Sequence, residues 1–205
     1  MSYLCFFQLV LKALDDGKVI RTSIAIALRI LGVVAALGGL YLLVEMLKTS
    51  FRLPTTEGTI GGIVFSIIFV VAIISSMQIF FYRANSVKEL GDSPFTVIPI
   101  VSILFRATGE LYATFGTALG IGGCLFVWFS GFNPLELLGA VGGLFPSTSV
   151  GGTFASGLVF LVTMGVSSFL ALVLFYFLAE ATLLLADIAR NIRLLVRNAG
   201  TTLPR

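Results

Sequence analysis

Histidine is missing from all 205 residues, and cysteine occurs only twice, as Cys5 and Cys124. Without imidazole there is no usual ligand set for haem, copper or a catalytic zinc, and no Ser/His or Cys/His nucleophile pair can assemble. Cys124 lies inside an apolar run and Cys5 near the start, so both read as small packing residues rather than disulfide partners. The HExxH, GxSxG, GxxxxGK[ST] and Asp-rich metal motifs are absent as well. The expectation is therefore a protein that is not an enzyme and binds no cofactor or metal.

Charge is also scarce. Asp, Glu, Lys and Arg make up 11% of the chain, against about 25% in a soluble domain. Too few polar groups remain to cover a surface facing water, so lipid is the expected solvent; a core buried in a large soluble complex is the alternative. The net charge of +3 fits the ordinary basic bias of a membrane protein and gives no reason to expect nucleic acid.

What is present is apolar: 58% of residues, and a mean hydropathy of +1.07. Long runs cover residues 24–47, 60–82, 95–129 and 154–178. Each reaches the ~20 residues that cross a ~30 Å hydrocarbon layer. Arg29 trims the first span to 30–47. Pro99 and Arg106 suggest that the start of the third run is interfacial, leaving a span over 107–129. The fold class is thus all-α, a polytopic membrane bundle of four helices.

Basic residues orient it. Lys12, Lys18, Arg21 and Arg29 precede the first span; Arg83, Lys88 and Arg106 lie between the second and third; Arg190, Arg193, Arg197 and Arg205 follow the fourth. The other side carries only Lys48 and Arg52. Both termini are expected in the cytoplasm, and the membrane is expected to be a bacterial inner membrane. Glu45 falls beside Lys48 at the outer boundary, and Thr55, Thr56 and Glu57 read as polar loop residues.

Both ends carry amphipathic patterns. Tyr3, Phe6, Phe7, Val10 and Leu14 recur at helical spacing, with no basic n-region before them and with Asp15 and Asp16 where a signal cleavage site would fall. A surface helix is expected there, a disordered tail being the alternative. At the other end Leu184, Leu185, Ile188, Ile192, Leu195 and Val196 share one face, and Asp187, Arg190, Arg193 and Arg197 the other. That helix is expected to leave the bilayer for the anionic inner surface or a partner, with Gly200 ending it. The outer loop, 130–153, offers Asn133-Pro134 as a helix start; a flat interfacial helix over 134–142 is expected, or a re-entrant one.

The division that follows is residues 1–22 as an interfacial N-terminus, 23–94 and 95–180 as two helical hairpins, and 181–205 as the C-terminal helix and tail. The hairpins echo each other. Arg29, Gly32, Ala36 and Gly39 recur as Arg106, Gly109, Ala113 and Gly116 at the same spacing. Gly62-Ile63-Val64-Phe65 matches Gly157-Leu158-Val159-Phe160, and each is followed by an aromatic cluster, Phe80-Phe81-Tyr82 or Phe175-Tyr176-Phe177. A hairpin duplicated in parallel orientation is expected.

Two features remain as candidate functional sites. Gly32, Ala36 and Gly39, and Gly109, Ala113, Gly116 and Gly120, form faces of small residues that let helix backbones approach closely. Arg29, Arg83, Arg106, Glu110 and Glu180 fall at similar depth and are expected to gather on the cytoplasmic side. A charge buried there unpaired costs several kcal/mol. The functional expectation is a non-catalytic accessory subunit that stabilises, anchors or scaffolds a larger membrane complex, its partners being the bilayer and other membrane subunits or copies of itself. A homo-oligomeric channel or small transporter gated by the charge cluster is the alternative.

Overall fold

In the computed structural model, residues 18–53, 55–90, 97–131, 133–134 and 153–201 are described. They form four long helices: α1 (Lys18–Phe51), α2 (Thr56–Lys88), α3 (Val97–Ser130) and α4 (Phe154–Thr201). Among the described residues there is no strand, and all four helices are long and apolar enough to cross a membrane. The chain is an integral membrane protein. The N-terminal amphipathic segment and the outer-loop helix or re-entrant segment expected over 134–142 lie almost wholly outside the described residues.

Helix ends differ from the expectations in two places. Pro99 is the third residue of α3, within the first turn, where a missing N–H costs nothing. Thr55 is a cap rather than a loop residue, its hydroxyl accepting from Gly58 N at 3.1 Å, while Thr56 and Glu57 belong to the first turn of α2. Thr55→Ala is expected to cost about 1 kcal/mol, readable as a lower unfolding temperature in detergent. Gly200 lies one residue inside the end of α4.

The helices pack in chain order, α1 on α2, α2 on α3 and α3 on α4, with no comparable packing between α1 and α4. The bundle is an open row. Within the chain, 17% of the most apolar stretch of α1 and of α4 is buried, against 39% and 50% for α2 and α3. Flanking helices can stay exposed because lipid tails solvate Leu and Val as well as a protein interior does.

Contacts between helices therefore rest on shape. A Cβ on Gly32 would stand 2.9 Å from Phe80 Cβ, and one on Gly39 would stand 2.7 Å from Ile73 Cγ1. The second hairpin repeats both approaches, Gly109 against Phe175 Cβ at 2.8 Å and Gly116 against Ser168 Cβ at 3.2 Å. One offset in sequence separates Gly32 from Gly109 and Gly39 from Gly116; a second separates Phe80 from Phe175 and Ile73 from Ser168. The two hairpins thus close in the same register. Gly120 continues the second face against Met164 Cβ, at 3.1 Å.

Aromatic residues fill the wider spaces. Phe65, Phe69, Phe126 and Met46 form a core shared by α1, α2 and α3, with Phe115 and Ala36 against it. A second core, at the other end, joins Ala25, Leu28, Phe80, Ala84, Val87 and Ile100. Several buried hydroxyls are satisfied within their own helices, Ser50 donating to Met46 O at 2.7 Å and Ser66 to Gly62 O at 2.8 Å, whereas Ser168 Oγ is buried without a partner. Lipid offers no other acceptor.

Candidate functional site: an intramembrane ionic knot

The second core lies at the end of the row where α1 begins, α2 ends and α3 begins. Toward this end, α2, α3 and α4 each contribute a polar side chain to a knot. Arg83 Nε donates to Glu110 Oε2 at 3.0 Å, and Arg83 Nη2 donates to Glu110 Oε1. This two-pronged geometry matches the planar guanidinium to the planar carboxylate and is the strong form of the interaction. The Tyr176 hydroxyl donates to Glu110 Oε1 at 2.6 Å and accepts from Arg83 Nη2 at 3.3 Å. The side chains of Arg83 and Glu110 are 11% and 21% exposed, so water screens this pair far less than a surface pair.

Arg106, one turn before Glu110 on α3, does not join the hydrogen-bonded set. Its guanidinium stands 5.7 Å from the centre of the Tyr176 ring, where the π face attracts a cation. Its Nε is buried with no hydrogen-bond partner. Tyr176 therefore serves both cations, one through its hydroxyl and one through its ring. Arg83 in turn stands 5.3 Å from the Tyr82 ring centre.

The other two residues of the expected cluster go elsewhere. Arg29 Nη2 donates to Asn85 Oδ1 at 2.8 Å, tying α1 to α2. Glu180 is exposed, and with Leu172, Tyr176 and Phe177 it lines an open hollow of about 390 Å³ beside the knot. At the opposite end, Lys48 Nζ donates to Glu45 Oε1 at 2.9 Å, both side chains being about half exposed.

Asn85 was not among the residues read from the sequence, and Tyr176 was read only as part of an aromatic cluster. Tyr176 had one available signal: in the repeat it stands where the first hairpin has Phe81, so its hydroxyl is one of two mismatches between the aromatic clusters, the other being Tyr82 against Phe177. Asn85 had a weaker one, as an uncharged amide two residues beyond Arg83. Between α2 and α3 lies a largely apolar groove of about 410 Å³, with Ser75, Thr114 and Thr117 as its polar lining residues. Thr114 is one turn from Glu110 and donates to its carbonyl at 2.7 Å.

Tyr176→Phe tests the knot. Removing the hydroxyl leaves Glu110 Oε1 one donor short while keeping the ring beneath Arg106, at an expected cost of about 1–2 kcal/mol. Thermal unfolding in detergent reads it, and an unchanged midpoint would show that the hydroxyl does not hold Glu110. Comparison with known protein families, curated proteins and solved structures finds no match to this chain.

Proposed function

We propose that this chain is a non-catalytic integral membrane subunit that anchors a partner protein through the extension of α4. The observation that carries the reading is the length and exposure of that helix. α4 is continuous over 48 residues, roughly 70 Å at 1.5 Å per residue, more than twice the hydrocarbon thickness. Beyond Glu180, Leu184, Leu185, Ile188, Ile192 and Leu195 are exposed. From Tyr176 to Ala199 the sequence holds no Pro, Gly or Ser, the usual sources of a sharp kink. A helix without a kink leaves the membrane surface instead of turning to lie on it, so its apolar stripe needs protein to cover it. The knot supports the same reading: Glu110 already accepts from three donors, which leaves it poorly placed to exchange protons. On this reading the arginine-rich ends are cytoplasmic, and the membrane is a bacterial inner membrane.

Mild detergent extraction followed by native mass measurement tests the proposal. The expected species contains this chain with a second subunit, and Leu185→Arg together with Ile192→Arg releases that subunit without lowering the stability of the bundle. Recovery as a lone monomer, or as a complex indifferent to both substitutions, would refute it. The three hydroxyls of Ser75, Thr114 and Thr117 on the groove between α2 and α3, Thr114 one turn from Glu110, favour a second reading, a self-associating channel or small transporter. Reconstituted flux changed by Glu110→Gln would support that reading in place of the first.

A further inference from the structure

Two charges of opposite sign stand unsatisfied at the edge of the knot. Arg83 and Arg106 bring two positive charges to it, and Glu110 is the one acid there. Both Glu110 oxygens already accept from Arg83 or Tyr176. Arg106 makes no hydrogen bond among the described residues: its Nε is buried without a partner, and its guanidinium rests near the Tyr176 ring, 5.7 Å from the centre. Glu180, one turn beyond Tyr176 on α4, is exposed and has neither hydrogen bond nor ion pair among the described residues. The two lie at one level. Gly109 stands against Phe175, Gly116 against Ser168 and Gly120 against Met164. That antiparallel register brings Arg106 opposite Leu178, about half a turn short of Glu180.

Depth in the membrane narrows what can join them. The third span starts at residue 107 and the fourth apolar run ends at 178, so Arg106 and Glu180 both sit at the boundary where headgroups begin. The hollow of about 390 Å³ reaches inward from that boundary. Leu172, Val173 and Phe177 line its apolar part, with Tyr176 and Glu180 toward the headgroups. Tyr176 already uses its hydroxyl within the knot and offers the hollow only its ring. A matching ligand has an apolar chain, an anion for Arg106 and, close to that anion, a cation for Glu180. A zwitterionic phospholipid has those parts in that order, and a guanidinium suits phosphate oxygens. The carboxylate selects among headgroups. An ethanolamine ammonium can donate hydrogen bonds to it, a choline has no N–H to donate, and a glycerol headgroup brings no positive charge.

We infer that the hollow beside the knot binds a phospholipid with an ethanolamine headgroup, its phosphate on Arg106, its ammonium on Glu180 and an acyl chain along Leu172, Val173 and Phe177. The site precedes the α4 extension and does not depend on what that extension docks.

Native mass spectrometry of the full chain in detergent tests it, with phosphatidylethanolamine, phosphatidylcholine, phosphatidylglycerol and O-phosphoethanolamine as separate probes. The expected result is a phosphatidylethanolamine adduct retained in preference to the other three. Glu180→Gln should lower that adduct about fivefold and leave phosphatidylcholine unchanged, so that the preference between them disappears. Arg106→Gln should weaken both lipids about fivefold, since both carry the phosphate. Glu45→Gln with Lys48→Gln removes opposite charges at the other end of the bundle and should change neither. Leu185→Arg with Ile192→Arg should leave the adduct intact even where it releases a partner subunit. Glu180 is exposed, so its variant is expected to fold, and its unfolding midpoint without lipid checks this. No preference for phosphatidylethanolamine, or a preference that survives Glu180→Gln, would overturn the proposal. O-phosphoethanolamine held as tightly as the lipid would overturn it too. So would strong coupling between Glu180→Gln and Arg106→Gln in the lipid-free unfolding midpoint, which would assign the two charges to a direct ion pair.

Discussion

Arg83→Leu is expected to destabilise the bundle by about 3 kcal/mol, the largest loss from any single polar side chain here. Removing the guanidinium strips Glu110 of two hydrogen bonds and leaves a carboxylate between helices with only Tyr176 donating to it. Breaking a buried pair from one side costs about 3–5 kcal/mol, because the surviving charge has lost its compensation. The lower end of that range applies because Glu110 keeps a fifth of its side-chain surface exposed. Arg106 stands on the Tyr176 ring and recovers part of the loss if it swings toward Glu110. Arg83→Leu combined with Glu110→Leu should restore most of the stability, since an apolar pair of similar volume leaves no charge behind. Chemical or thermal unfolding in detergent reads all three variants. If the double variant is as unstable as the sum of the singles, the two residues do not act as a pair.

The second large effect separates neighbouring glycines. Gly39→Leu is expected to cost about 3 kcal/mol, whereas Gly38→Leu is neutral or slightly stabilising. A Cβ at position 39 would fall 2.7 Å from Ile73 Cγ1 and 2.9 Å from Cδ1, while one at position 38 meets nothing within 4 Å. Leucine at 39 forces α1 away from α2, an overpacking penalty at the high end of the usual range. At 38 it gains helix propensity over glycine without a clash. The second hairpin offers a parallel contrast, with Gly116 close against Ser168 and open space around Gly165. Equal unfolding midpoints for the 38 and 39 variants would show that α1 and α2 do not close at Gly39.

These two predictions differ in how far the sequence foresaw them. The Gly32–Gly39 and Gly109–Gly116 faces were legible because helical period alone puts those residues on one stripe, and their recurrence marked them as a matched pair. Their partners were partly legible too, since the aromatic clusters recur at a common offset. The charge cluster was legible only as a depth. Arg29, Arg83, Arg106, Glu110 and Glu180 were placed by their distance along each span, but depth does not say which way a side chain points around its helix. Two of the five leave the knot for that reason, Arg29 toward Asn85 and Glu180 toward the surface.

Composition, run length and the scarcity of charge determined by themselves that this chain spans a membrane four times as helices, because no other medium satisfies so apolar a surface. Helical period, a property of each helix alone, likewise determined which small residues share a face. Tertiary structure alone decided that the helices form an open row, that Arg83 rather than Arg106 holds Glu110, and that Tyr176 binds them together. Those outcomes depend on the rotation of each helix against its neighbour, and that rotation is set by how side chains from distant parts of the chain fit against one another.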